Sequence, residues 1–156
     1  MSFFEVLNIT FVRMESVNFD TSNIIFKKAA AFVNQTNQNL FLTGKAGTGK
    51  TTFLKYIREN CYKKMAITAP TGVAAMNAGG TTLHALFWLP FGVFVEDYDL
   101  KWDDQDNHIY NKSRLFSTIK LTKQRRAILQ ELELLVIDEV SMVRADTLDA
   151  IDVILK

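Results

Sequence analysis

The residues best suited to chemistry lie in the segment GKAGTGKTT, which fits the pattern G-x-x-x-x-G-K-[ST] in full. Glycines let such a segment curl so that its backbone N–H groups surround phosphate oxygens, and the helix that follows points its positive end at the same anions. Lys50 would neutralise the β- and γ-phosphates, and the Thr51 hydroxyl would ligate Mg²⁺. The segment therefore predicts a site for a nucleoside triphosphate with Mg²⁺, formed by Gly44, Lys45, Ala46, Gly47, Thr48, Gly49, Lys50, Thr51 and Thr52.

The second motif is LLVIDEVSM, an apolar run that ends in two acids. At the tip of a buried strand, Asp138 suits the Mg²⁺ shell, either directly or through a water. Glu139 could polarise an attacking water, so the pair favours hydrolysis over transfer to a substrate hydroxyl. An isolated Asp-Glu pair is equally well a solvated acidic turn, but its position after a full phosphate-binding motif favours the metal interpretation. The candidate catalytic residues are Lys50 and Glu139, and the candidate metal ligands are Thr51 and Asp138.

The third segment, ITAPTGVAAMNAGGTTLHALF, is poor in charge and rich in threonine and glycine. Small residues let a phosphate backbone approach the main chain, and threonine hydroxyls and free N–H groups can hold phosphates without reading sequence. His84 could stack on a nucleotide or form a hydrogen bond to it. On spacing alone, the favoured interpretation is an ordinary strand, turn and helix in which His84 is packed.

The elements that must position these residues follow from the apolar periodicity. Short apolar runs that end at Gly44, Pro70 and Asp138 indicate buried strands, and helical spacing separates them. The chain is therefore expected to form an α/β fold, a parallel sheet with helices on both faces whose ligands gather at the carboxyl ends of the strands. Strands are predicted over Leu40–Thr43, Met65–Ala69 and Leu134–Ile137, and helices over Asn23–Asn34, Thr51–Asn60, Gly72–Ala78, Lys123–Glu131 and Arg144–Lys156.

Composition limits the class of protein further. The 156 residues suffice for one domain, and an apolar content of 48% excludes wholesale disorder. A net charge of +1 argues neither for nor against nucleic acid, and the single cysteine, Cys61, excludes a disulfide framework. No run is apolar and long enough to predict a membrane span, and the N-terminus lacks the features of a signal peptide. Residues 1–20 are interpreted as an N-terminal extension, with Met14 as a second possible start.

The charges divide sharply in the second half of the chain. Residues 96–106 hold six acids against one lysine, whereas residues 107–126 hold six basic residues and no acid. The first part is interpreted as exposed, within an inserted segment at about 95–115. For the basic part, a solvated helix face is at least as good an interpretation as a DNA-binding surface.

Together the three segments resemble a known family. GKAGTGKTT, then TAPTGVAA with GGTTLHALF, and ELLVIDEVSMVRADTLDAID are similar to motifs I, Ia and II of the PIF and RecD-like helicases of superfamily one. The resemblance covers about residues 20 to 156 and implies the first part of a RecA-like P-loop motor domain. A clamp loader or nucleotide kinase is disfavoured, since the middle segment would have no use there.

The resemblance implies an enzyme that uses ATP and Mg²⁺ to move 5′ to 3′ along single-stranded DNA. It would unwind duplexes at junctions, with roles in DNA repair, recombination and telomere maintenance, most simply in a bacterial cytoplasm. The resemblance also replaces the interpretation of the middle segment as an ordinary strand, turn and helix. It implies that the residues at the matching positions face DNA: Thr68, Pro70, Thr71, Gly72 and His84. The family's adenine-reading glutamine has no counterpart here, and Asn23 is a weak stand-in.

The family also has parts that do not occur before Lys156. These are a Gly-Asp…Gln motif that senses the γ-phosphate, and a second RecA-like domain that supplies an arginine. In this branch of P-loop proteins, the strand of the sensor motif lies between the P-loop strand and the Asp-Glu strand. We therefore expect an incomplete sheet and very slow hydrolysis by the 156 residues alone. The alternative is a truncated, non-catalytic fragment that binds nucleotide or DNA.

Overall fold

A computed structural model describes residues 23–96 and 108–156 of the chain. The chain divides into two compact units, Met1–Leu42 and Thr43–Lys156. The described part of the first unit contains helix α1 (Ile24–Gln35). The Asn23 side-chain oxygen accepts hydrogen bonds from the backbone N–H groups of Ile25 and Phe26, so it caps this helix.

The second unit is built on a three-stranded parallel sheet with the order β2-β1-β5. β1 is Met65–Ala69, β2 is Thr81–Thr82 and β5 is Leu134–Ile137. β1 is the central strand, and its residues Ile67 and Ala69 are buried. Parallel strands need long crossover connections, and the helices between these strands supply them. The predicted α/β class with a parallel sheet is confirmed.

Helices connect and cover the strands. The described elements of the second unit are α2 (Lys50–Asn60), α3 (Gly72–Ala78), α4 (Leu83–Phe87), α5 (Lys112–Ile119), α6 (Lys123–Gln130), a 3₁₀ turn (Val140–Met142) and α7 (Ala145–Leu155). Polar side chains fix where four of these helices begin. The side-chain oxygens of Thr71, Thr82, Asn111 and Thr122 accept backbone N–H bonds at the starts of α3, α4, α5 and α6.

A second, two-stranded parallel sheet has one strand just before the inserted segment predicted at about 95–115 and one strand within it. Its strands are β3 (Val93–Phe94) and β4 (Ile109–Tyr110). Phe94 is buried in the main core cluster with residues of α4, α5 and α7, including Phe87, Leu115 and Ile151. The apolar stretch from Leu83 to Phe94 therefore joins the core through α4 and β3.

The predicted strand over Leu40–Thr43 is wrong. The structure assigns these residues no strand, and the side chains are open to solvent, with Phe41 74% exposed. A strand is stabilised by ladder hydrogen bonds to a neighbouring strand, and none of the five described strands pairs with this run. The acidic residues 97–106 and the N-terminal extension lie outside the described residues. Among the described helices, none is long and apolar enough to cross a membrane.

Candidate nucleotide and nucleic-acid site

The glycine-rich loop has the geometry expected of a phosphate cradle. Gly47 and Gly49 have φ values of 77° and 92°, a left-handed conformation that costs glycine little. Gly44 is favoured for a different reason, since a Cβ at that position would lie 2.6 Å from the Thr48 hydroxyl oxygen and would force this side chain to shift. The Thr48 hydroxyl donates to the Lys45 carbonyl at 2.8 Å, which closes the loop on itself. The loop is therefore shaped by its own residues.

Lys50 lies across this loop. Its ammonium group donates to the carbonyl oxygens of Gly44 at 2.6 Å and Lys45 at 2.8 Å. The side chain is exposed, so the positive charge is held at the mouth of the loop, where a phosphate would meet it. Thr51 follows as the second residue of α2, and its side chain is also exposed.

The start of α2 differs from the starts of most other described helices. Its N-cap is Gly49, which offers no side-chain acceptor, whereas α1, α3, α4, α5 and α6 each have a capping Asn or Thr. The first N–H groups of a helix need an acceptor, and a phosphate supplies one while meeting the positive end of the helix. The geometry of the loop and the start of α2 therefore suits one anion, as the sequence predicts.

The acidic pair lies at the carboxyl end of β5. The Asp138 N–H donates to the Thr68 carbonyl at 2.8 Å, which continues the ladder between β5 and β1 by one residue. One Asp138 carboxylate oxygen accepts the Glu139 N–H at 3.0 Å. Glu139 has φ 51° and ψ 41°, and this left-handed turn ends the strand and leaves its side chain exposed. Such a conformation costs a non-glycine residue about 1 kcal/mol or more, and it is common at functional sites.

The donor set of Thr51 and Asp138 suits Mg²⁺, which takes oxygen ligands and keeps several waters. Within residues 23–96 and 108–156, no group of three or more His, Cys, Asp or Glu side chains could hold a metal ion. A cation at Thr51 and Asp138 would therefore need phosphate oxygens and water to complete its shell. The chemistry of these two donors therefore suits an ion that arrives with the nucleotide.

The predicted DNA-side residues gather at the same carboxyl edge of the sheet. β1 and β2 are in register at Ala69 and Thr82, so the turn after β1, which contains Pro70, Thr71 and Gly72, lies beside the start of α4 and His84. A Cβ on Gly72 would meet nothing within 4 Å, so this backbone is open to a close approach. His84 is half-buried and its ring stacks on that of Phe91.

Thr68 differs from the other predicted DNA-side residues. Its side chain is fully buried, at 0% exposure, and its hydroxyl donates to the Val136 carbonyl at 2.8 Å. This bond ties β1 to β5 beneath the edge. Thr71 is also used internally, because its hydroxyl oxygen accepts the Ala74 N–H at the start of α3.

Two arginines of the basic segment have internal partners. Arg114 donates to the Ile109 carbonyl and lies over the Tyr110 ring, at 5.4 Å from the centroid. Arg125 donates to the Ile119 carbonyl at 2.8 Å, at the end of α5, and lies 4.6 Å from the centroid of the Trp88 ring. These contacts favour the structural interpretation of this segment.

Two residues beside the candidate site, Phe91 and Asp146, were not predicted from the sequence. Phe91 is the exposed ring beside His84, and no spacing rule singles out an aromatic residue in an apolar run. Asp146 accepts the Phe94 N–H at 3.0 Å and two bonds from the Arg144 guanidinium at 2.9 Å, so it ties β3 to the start of α7. The Asp146 contact to β3 is long-range, but the R-x-D spacing at the start of a predicted helix was a readable signal for the ion pair.

A glycine loop that opens a helix, together with an Asp-Glu turn at the end of a parallel strand, is typical of the P-loop nucleotide triphosphatase class. A scan against family models matches residues 17–156 to "PIF1-like helicase". This match covers most of the chain, and the chain belongs to the PIF1-like helicase family, whose relatives are described as ATP-dependent DNA helicases.

Individual relatives agree with this assignment. The chain is 36% identical over 135 residues to the ATP-dependent DNA helicase Pif1 of Psychrobacter sp. (strain PRwf-1), covering 83% of this chain and 18% of that protein. It is 31% identical over 129 residues to ATP-dependent DNA helicase PIF1 of Saccharomyces cerevisiae (strain YJM789), covering 77% and 13%. The chain thus spans less than a fifth of the length of these two relatives.

Solved structures give the same fold. A crystal structure of Bacteroides sp Pif1 in complex with ADP-AlF4 matches with a TM-score of 0.65 and 42% identity, covering 85% of this chain and 27% of that one. A crystal structure of Bacteroides Pif1 bound to ssDNA matches with a TM-score of 0.61 and 42% identity, covering 81% and 25%. The RecA-like P-loop fold predicted from the sequence is confirmed.

Proposed function

We propose that this chain is the ATP- and DNA-binding front part of a helicase motor that moves 5′ to 3′ along single-stranded DNA. The observation that carries the proposal is the shared carboxyl edge, where Asp138 and Glu139 after β5 lie beside the Pro70–Gly72 turn after β1. The acidic turn after β5 would contact the nucleotide, and the turn after β1 would contact DNA. Because the two strands are adjacent, a change at the nucleotide during hydrolysis could directly move the turn that contacts DNA.

The hydrolytic chemistry follows from the loop and the acidic pair. The N–H groups of the loop and the Lys50 ammonium bind the phosphates of ATP, while Thr51 and Asp138 offer oxygens to Mg²⁺. When bound, Mg²⁺ would supply positive charge that neutralises the phosphates. Glu139 orients a water and accepts its proton as the water oxygen bonds to the γ-phosphorus. The bond between the γ-phosphorus and the oxygen that links it to the β-phosphate breaks, which gives ADP and inorganic phosphate.

The second candidate is a binding fragment that does not turn over ATP. The 156 residues span 18% and 13% of the length of two relatives, so this candidate concerns only the part of the protein given by these residues. An arginine supplied by another domain accelerates related phosphoryl transfers by about 10³- to 10⁵-fold. We therefore expect the isolated chain to bind Mg·ATP and single-stranded DNA without DNA-stimulated hydrolysis. DNA-stimulated hydrolysis by the isolated chain would exclude this second candidate.

The nucleotide site is tested by Lys50→Ala. Loss of a charged hydrogen-bond partner removes about 1.5–3 kcal/mol of binding free energy. The Kd for a fluorescent ATP analogue with Mg²⁺ should therefore rise about 10- to 100-fold. Lys55→Ala is the matched control, because Lys55 is an exposed lysine on the same helix, and it should bind as the unaltered chain does. Equal affinity of Lys50→Ala and the unaltered chain would contradict the proposed site.

A further inference from the structure

The turn between α4 and β3 presents an aromatic ring to solvent. Phe91 is 82% exposed, although phenylalanine is usually buried. Its ring lies 5.3 Å from that of His84, centroid to centroid, with an interplanar angle of 17°. This is the offset parallel stack that aromatic rings prefer. Because the side chain is so exposed, the ring face turned away from His84 is open.

The turn that carries Phe91 is held firmly on both sides. Leu89 before it and Phe94 after it are buried in the core cluster. The Val93 N–H donates to the His108 carbonyl at 2.7 Å, and the Phe94 N–H donates to the Asp146 carboxylate at 3.0 Å. Gly92 lies so close to β4 that a Cβ there would overlap the His108 carbonyl oxygen. The exposed ring is therefore pre-positioned, and ordering it on binding costs little entropy.

The partner of this ring follows from its place in the fold. His84 lies in α4, directly after β2, and so on the edge that carries the open backbone of Gly72. Phe91 is flanked by Pro90 and Gly92, so the turn exposes a single aromatic ring. A binding surface for another protein would instead require a wide apolar patch. A single ring with one open face suits stacking by a nucleobase, and the open backbone at Gly72 on the same edge suits the phosphates of the same single strand.

We propose that Phe91, supported by His84, is a stacking platform for a base of single-stranded DNA. The inference rests on the proposed function, which supplies the strand, and adds a base contact to the phosphate contacts. Stacking on a phenyl ring tolerates every base, because each base has a π-face. The platform holds a nucleotide in place without reading its identity, as a motor that moves along any sequence requires.

The test measures binding of two probes by fluorescence anisotropy. One is a labelled oligothymidine of about twelve nucleotides, and the other is an abasic strand of the same length and charge. Phe91→Ala should weaken oligothymidine binding by about 5-fold to 150-fold and leave abasic binding unchanged. Phe91→Trp should restore binding. Tyr62→Ala is the matched control, since Tyr62 is a 93% exposed aromatic residue that precedes the amino end of β1, and it should have no effect.

Each further outcome separates the platform from the wider proposal. If the unaltered chain binds both probes and Phe91→Ala binds oligothymidine equally well, the platform is overturned while DNA binding stands. If Phe91→Ala weakens both probes equally, the ring does not contact a base, and the platform is also overturned. If the unaltered chain binds neither probe, the proposed function fails together with the platform. Because Phe91 is exposed, its variants should match the unaltered chain in thermal melting.

Discussion

The two halves of the candidate nucleotide site follow two similar apolar runs that behave differently. Leu134–Ile137 forms β5 and is paired along its length with β1. Leu40–Thr43 precedes the glycine loop, is assigned no strand, and has Phe41 74% exposed. The glycine loop nevertheless has its left-handed glycines and closing hydrogen bonds. The loop is encoded locally, whereas the position of the acidic turn depends on the sheet.

This difference predicts which substitutions affect each half. Changes that damage the β2-β1-β5 sheet should destabilise the fold and displace Asp138 and Glu139. Changes in the run before the loop should cost little in the 156-residue chain, because its side chains have few contacts to lose. Three experiments sharpen this contrast, beginning with the largest expected effect.

Gly80→Ala should have the largest effect on stability. Gly80 follows the left-handed Gly79 at the end of α3, and a Cβ on Gly80 would overlap the backbone carbonyl oxygen of Ile67 in β1. Backbone cannot move aside as a side chain can, so we expect a loss of about 3 kcal/mol or more in the free energy of unfolding. The measurement is urea-induced unfolding followed by circular dichroism.

Gly72→Ala is the control for this substitution. A Cβ on Gly72 would meet nothing within 4 Å, so its stability should stay within about 0.5 kcal/mol of that of the unaltered chain. If Gly80→Ala unfolds at the same urea concentration as Gly72→Ala, the close packing of β2 on β1 is wrong, and the sheet does not set the acidic edge as we argue.

Leu135→Ala and Phe41→Ala compare the two apolar runs directly. Leu135 in β5 is half-buried and packs against the main core cluster, so its truncation should cost about 2–3 kcal/mol. Phe41→Ala removes a larger side chain, yet it should change the free energy of unfolding by less than about 0.5 kcal/mol, because the ring is mostly exposed. Equal costs in the same urea titration would contradict the contrast between the runs.

The sequence predicted the elements whose patterns are local. Met65–Ala69, Leu134–Ile137 and Gly72–Ala78 are found as predicted, because short apolar runs bounded by proline, glycine or acids leave few alternatives. The helices predicted over 23–34 and 144–156 begin one residue later, since Asn23 and Arg144 are N-caps. The curled backbone of the glycine loop was also predictable, because its glycines need no distant contacts.

The misses arose where distant contacts decide the structure. The two-residue strands β3 and β4 are too short to show a period, and each exists only because it pairs with the other. The run over 40–43 has the composition of a strand, but composition cannot supply the neighbour that a strand requires. Phe91 looked like one more apolar residue in the stretch from Leu83 to Phe94, and only the fold shows its ring exposed beside His84.

Thr68→Val should cost less stability than Leu135→Ala, and it decides between two roles for one residue. The resemblance predicts a DNA-side residue, whereas the structure buries its hydroxyl against the Val136 carbonyl. Valine keeps the shape and removes the hydrogen bond, so the free energy of unfolding should fall by about 1 kcal/mol. Oligothymidine affinity, measured by anisotropy below the unfolding transition, should not change.

Thr81→Val is the control for stability. Thr81 is exposed and pairs with Thr68 in the register of β2 and β1, so its substitution should change the free energy of unfolding little. A loss of DNA affinity in Thr68→Val at unchanged stability would instead favour the DNA-side role, and would mean that β1 opens this residue to a bound strand.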